Sequence, residues 1–390
     1  MDTRVNLKTL KTIALPVGIA GLAACAYGYK QDHQAFAVSW LMGWMYWFYP
    51  TLGALGWLLI FHLTSGRWGY VAQRPFEAAA RLMPLMLVLF IPVVMSMHGL
   101  YEWTHADVVA KDPLIKHKEA YLNEQGFIIR AGIYFAIWIF LAYVVSGLSR
   151  GAKADGNPDT VKRIRQIAAP GIVAFALAAT FASFDWQMSL EPHWFSSIFG
   201  AIFMVASGLL AMLFVAVLMH HLSKRDPLKN VITTQQFHDF GNWCFAFTIL
   251  WTYMNFSQFI IIWSANLYEE TFWYLYRSKG GWKQFSMVMA VVLFALPFLL
   301  LLFKSNKRNS GRLAAIASVL LVARFLEVYW IVGPTFRKEN VLALHWMDAA
   351  ALAGIGGIWL FLFATGLGKV PLLSGDARFK EFAKGGGSAH

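Results

Sequence analysis

The chain has 390 residues, of which 58% are hydrophobic and only 14% charged, too little charge to cover the surface of a soluble protein of this size. Its formal net charge of +12 does not point to nucleic acid, because the basic residues are spread over short connections between apolar segments. Only two cysteines occur, Cys25 and Cys244, both within apolar segments, which excludes a disulfide framework and an iron–sulfur ligand set.

The apolar segments are long enough for helical spans, about 20 residues each, and predict an all-α polytopic membrane protein. Ten are expected, at 12–29, 36–62, 82–102, 126–148, 168–187, 193–221, 239–266, 283–303, 312–332 and 345–366. Residues 1–366 form a single integral membrane domain and 367–390 a cytoplasmic C-terminal tail. The longest connection, near 103–125, is too short to fold alone.

The first segment follows Arg4, Lys8 and Lys11 and looks like a secretory signal, with "LAAC" (Leu22–Cys25) resembling a lipoprotein processing box. It is read as a first transmembrane helix. The second holds Pro50, and the third holds Pro92 and then His98 and Glu102, placed one turn apart on one helix face, with His105 beyond. Arg130 enters the fourth as a candidate counter-charge. The fifth runs into "SFDWQMSLEPHWFSS" (Ser183–Ser197), which carries Asp185, Glu191 and His193, with no Lys or Arg between Arg165 and Lys224. Glu191-Pro192 reads as the start of the sixth segment, with proline at an early helical position.

Glu269 and Glu270 follow the seventh segment, and Pro297 lies near the end of the eighth. The ninth contains "LLVARFLEVYW", in which Arg324 lies about 18 Å from the helix start at 1.5 Å per residue. Glu327 stands three residues on, within reach of a direct salt bridge. His345 and Asp348 open the tenth, whose "AGIGG" (Ala353–Gly357) suits close helix packing.

Connections alternate in charge. Together with the termini, one side holds 22 basic residues and the other 9, which places both termini in the cytoplasm. His98, Glu102, Asp185, Glu191, His193, His345 and Asp348 then lie toward the outer side. Such a gathering suits proton uptake or release, or hydrogen bonding to a polar headgroup; the plain alternative is that each faces water or caps a helix. Two readings also stay open for Arg324 and Glu327, a self-neutralised structural pair or a proton-relay station. Asp185 and Glu327 are expected to matter for turnover or proton release, and Glu191 and Lys338 to behave as surface residues. The histidines fall at segment ends, so no bis-imidazole haem site is expected, and no catalytic residue or metal ligand is assigned.

The stretches "SFDWQMSLEPHWFSSIFGAIF", "FHDFGNWCFAFTILWTYMNFSQFIIIWSANLYEETFWY" and "ARFLEVYWIVGPTF" resemble the smaller of two NrfD/PsrC-like polytopic membrane subunits (the ActF type) of bacterial alternative complex III. That assembly is a quinol:cytochrome c, or quinol:electron carrier, oxidoreductase. The resemblance covers most of the chain and is densest from Phe181 to Phe336. It implies a bacterial inner membrane, two four-helix bundles plus two further helices, and a subunit without a redox centre of its own. Implied ligands are a quinone or menaquinone and lipids. Implied partners are a sibling NrfD-like membrane subunit, an iron–sulfur subunit, c-type cytochrome subunits and often a terminal oxidase. The alternatives are a structural scaffold within the same complex and an ion-coupled secondary transporter. The transporter reading is weakened because Pro50 and Pro92 have no matching mid-span pair in the second half.

Overall fold

A backbone surrounded by hydrocarbon must satisfy its own polar groups, and this chain does so with helices. The computed structural model describes residues 4–151, 158–225, 228–229, 232–337 and 344–372, and among them all regular structure is helical. In chain order the main helices are α1 (Lys8–Gln31), α2 (His33–Thr64), α3 (Arg67–Ala80), α4 (Met83–Met95), α5 (Glu124–Gly151), α6 (Pro158–Trp186) and α7 (Phe199–Ser223). They continue with α8 (Thr234–Ala265), α9 (Tyr268–Arg277), α10 (Gly280–Ala290), α11 (Leu296–Leu302), α12 (Ser310–Phe336) and α13 (Trp346–Gly368). Lys338 and the tail from 373 onward lie outside the described residues.

Nine helical stretches among the described residues are long and apolar enough to cross a membrane, and the chain is a multi-pass membrane protein. The segment predicted at 36–62 is not one of the nine, although it forms the 32-residue α2. Its tryptophans, tyrosines and glycines lower its hydropathy, and burial against protein makes them tolerable. The indoles of Trp40, Trp44, Trp47 and Trp57 donate to the carbonyls of Leu89, Met86, Leu352 and Gly208 at 2.7–2.9 Å. Each ring fills volume while its one polar atom is bonded to a neighbouring helix. α2 is therefore buried along nearly its whole length and packs on α3, α4, α6, α7, α12 and α13.

Around this axis, α4 packs on α5 and α5 on α6, while α7 packs on α8 and α12 and α8 on α11. The first helix pairs with the last, α1 against α13. Gly18 and Gly21 meet Gly354 and Gly357 there, and a Cβ on Gly354 would fall 2.8 Å from the Gly21 backbone. The predicted close packing of "AGIGG" is thus explained, since only glycine lets these two backbones approach so far.

Two expected boundaries need correction. The connection 67–81 is a helix, not a basic loop: α3 is buried from Trp68 to Ala80 and leads into α4 across a short break at Arg81 and Leu82. The sixth segment begins at Phe199, so Glu191-Pro192 does not start it. Residues 187–198 instead make a short 3₁₀ turn and an irregular connection.

Candidate functional site

Among the described residues, Asp185, Glu327, Glu77 and Asp348 are buried carboxylates that each meet an arginine, at different heights along the helices. At one end, Asp185 sits in the last turn of α6 and is fully buried. Its counter-charge comes from another helix. Arg130, near the start of α5, donates Nε to Oδ2 and Nη2 to Oδ1, both at 2.9 Å. Tyr134, one turn further along α5, adds its hydroxyl to Oδ2 at 2.8 Å. The remaining Arg130 nitrogen donates to the Tyr121 carbonyl at 2.8 Å, and the guanidinium lies 3.9 Å from the Tyr121 ring centre. Every nitrogen of this arginine is engaged.

The second site lies nine residues inside α12 from its Phe336 end. Arg324 and Glu327 are both almost wholly buried, and Nη1 donates to Oε2 at 2.8 Å. The other carboxylate oxygen accepts the Trp251 indole of α8 at 2.6 Å, and Arg324 lies 4.3 Å from the centre of the Trp251 ring. Here the set is incomplete: Nε and Nη2 of Arg324 are buried with no hydrogen-bond partner among the described residues. Guanidinium donors left bare in a protein interior are costly, so this position has unused capacity to hold a polar group or water.

The third site, at the opposite end from Asp185, escaped the sequence reading because residues 63–81 fall between two of the expected spans. Arg74 Nη1 donates to both oxygens of Glu77 at 2.6 Å, and Arg150 Nε reaches Oε2 at 3.1 Å from α5. Ser149 Oγ donates to Oε1 at 2.7 Å and Gln73 Nε2 at 3.1 Å. Arg74 and Glu77 are wholly buried. The signal was available: Arg74 and Glu77 have the same three-residue spacing as Arg324 and Glu327.

The other predicted residues fall into separate contacts. His98 and Glu102 do not share a helix face, because the helical turn ends at Leu100 and Glu102 begins a 3₁₀ turn. His98 approaches Glu124 at 3.4 Å instead, in an exposed position. Glu191 accepts from Thr335 at 2.8 Å, tying the connection after α6 to the end of α12. His193 Nε2 meets Asp112 Oδ2 at 2.5 Å. Burial pushes the Asp112 carboxyl up, but the His193 bond and the Ile115 and Leu114 amides outweigh it and hold the group below its ordinary range. His345 and Asp348 make the N-terminal capping box of α13. Asp348 also accepts two bonds from Arg337 at 2.8 and 2.9 Å and one from Ser39 at 2.6 Å.

Among the described residues, no three His, Cys, Asp or Glu side chains converge as a metal site. Chemically, the arrangement offers charge held in the apolar interior, with Arg324 lacking a partner at two nitrogens and Arg74 at Nε among the described residues. Compared with known proteins, the chain matches no family model and no curated protein.

Proposed function

We propose that this chain is a membrane subunit of a quinol-oxidising respiratory complex of the alternative complex III type, akin to its smaller NrfD/PsrC-like subunit. In this reading it anchors redox partners and contributes a proton-handling position at Arg324 and Glu327. The observation that carries the proposal is the pair of unpartnered guanidinium donors beside a buried carboxylate. Ionisable groups within spans are expensive and tend to mark pathways, and quinol oxidation releases protons that bases must accept. Glu327 is the acceptor in this scheme, and Arg324 and Trp251 hold it in place.

The packing is compatible with the architecture the resemblance implies. Counting α2 as a further span, the described residues would hold ten. One four-helix bundle contains α2, α4, α5 and α6, and the other contains α7, α8, α10 with α11, and α12; α1 and α13 are the further pair. With the basic residues set inside, Glu77 lies toward the cytoplasm and Asp185 toward the outer face. The scaffold reading is favoured by one specific observation, the complete bonding of Asp185 by Arg130 and Tyr134.

The test is purification of the tagged full chain from its native membrane in mild detergent. Co-elution with c-type haem absorbance and quinol-dependent cytochrome reduction is expected. A chain that elutes without partners and drives ion-coupled uptake in vesicles would replace this reading with the transporter.

A further inference from the structure

α8 and α10 part toward the end that carries Asp185, leaving a lateral cleft of about 880 Å³ between them, backed by α9 and by Trp330 of α12. Its lining on α8 runs from Ile249 to Trp263, about 21 Å at 1.5 Å per residue, enough to take the depth of one leaflet's hydrocarbon, roughly 15 Å. Phe256 and Met287, on its two walls, are 58% and 57% exposed, so the cleft opens sideways toward the bilayer. A π-helical turn at Val291–Ala295 interrupts the α10–α11 span and brings Phe294 into the lining; such turns frequently accompany functional sites.

Thr252, Asn255 and Ser286 inside the cleft are already hydrogen-bonded within the protein. Thr252 and Asn255 donate to the Thr248 and Trp251 carbonyls of their own helix at 2.9 and 2.8 Å. Ser286 accepts the Trp330 indole at 2.9 Å. The cavity body therefore offers little to a polar ring but suits a chain of methylenes.

Its mouth is different. Lys283 is exposed there, next to the buried Arg277, whose guanidinium lies 3.6 Å from the Trp273 ring centre. Arg277 donates only to the carbonyls of Trp273, Trp330 and Ile331. Neither cation has an ion pair among the described residues. Burial draws the Arg277 guanidinium down to about 9, against the fields of Glu191 and Tyr274, which leaves it charged at neutral pH.

We propose that this cleft holds one acyl chain of an acidic phospholipid, with its phosphate at Lys283, Ser278 and the edge of Arg277. Lys283 has no ion pair among the described residues, and Arg277 lies in the field of Glu191 without pairing to it, so the rim of this apolar furrow complements an anionic headgroup with a hydrocarbon tail. A neutral isoprenoid quinone would leave the Lys283 charge unpaired. This assignment does not depend on the respiratory reading.

The purified full chain would be titrated with phosphatidylglycerol, phosphatidylcholine of the same chains, and menaquinone, with bound ligands counted by native mass spectrometry. Phosphatidylglycerol should bind at least tenfold more tightly than phosphatidylcholine. Lys283→Ala should weaken phosphatidylglycerol about fivefold, the contribution of one basic residue near anionic headgroups, and leave phosphatidylcholine unchanged. Ala290→Trp, which fills the cleft, should weaken both, and a melting curve for each variant shows that the fold persists. Equal binding of the two phospholipids, indifference to Lys283→Ala, or preferential menaquinone binding abolished by Ala290→Trp would each overturn the proposal.

Discussion

Arg130–Asp185 and Arg324–Glu327 are both buried arginine–carboxylate pairs, but they are finished to different degrees. The first joins two helices through two parallel bonds, and a tyrosine hydroxyl and a backbone carbonyl use the remaining capacity. The second joins two residues of one helical turn through a single bond and leaves two guanidinium nitrogens bare. A completed pair fixes geometry and has nothing left to exchange. An incomplete one in the same apolar surroundings is a place where a proton carrier or water gains hydrogen bonds. In the proposed reading, Arg130–Asp185 clamps α5 on α6, and Arg324–Glu327 is the position that handles protons.

The largest effects should come from breaking either pair on one side. Arg130→Ala strands the Asp185 carboxylate and Glu327→Gln strands Arg324, each at about 3–5 kcal/mol for an uncompensated buried charge, read as lost thermal stability in detergent or failure to assemble. The comparison sharpens with Asp185→Asn, which preserves shape. If the pair is a clamp, the assembled variant melts earlier yet keeps the wild-type pH profile of turnover; a flattened profile would return Asp185 to the proton path. Trp251→Phe comes next. It deprives Glu327 Oε1 of its donor, at about 1–3 kcal/mol for an orphaned buried acceptor, and should lower stability while leaving Arg130–Asp185 untouched.

Glu191, expected to act as a surface residue, accepts from Thr335, so Thr335→Val should cost about 1 kcal/mol rather than nothing. The smallest effect concerns pH. Asp112 is held below its ordinary range, so its contribution is full above the unfolded-state pKa near 3.8 and disappears as pH falls through the lower folded value. Asp112→Asn should remove that acid sensitivity, and as a half-exposed pair with His193 it is worth no more than about 1 kcal/mol. Hydrogen exchange of the 106–118 connection as pH falls from about 5 to about 2, across and below ordinary carboxylate titration at about 4, would show it.

Spans and local pairs were legible because they depend on residues near each other in sequence. Arg324 and Glu327 meet as their spacing requires, and the Gly-rich run of α13 packs as its composition implies. Arg130 with Asp185 lies 55 residues apart; the sequence could nominate the arginine but not the bidentate geometry. Glu77 was lost for another reason. Three arginines in a short interval look like a loop, although Arg74 is neutralised within its own helix and α3 is buried. His98 with Glu102 failed at a helix end, where periodicity cannot show that the turn stops at Leu100.

The most direct measurement keeps the fold and removes only the charge of the incomplete pair. Arg324→Met with Glu327→Gln leaves an amide carbonyl for the Trp251 indole and strands no ion, so assembly should survive. With the complex in sealed vesicles and protons counted by a pH-sensitive dye for each quinol oxidised, the account predicts normal subunit composition with proton release or its pH dependence reduced at least tenfold. Unchanged release with an unchanged pH profile would contradict it and leave Arg324–Glu327 as a structural pair like Arg130–Asp185.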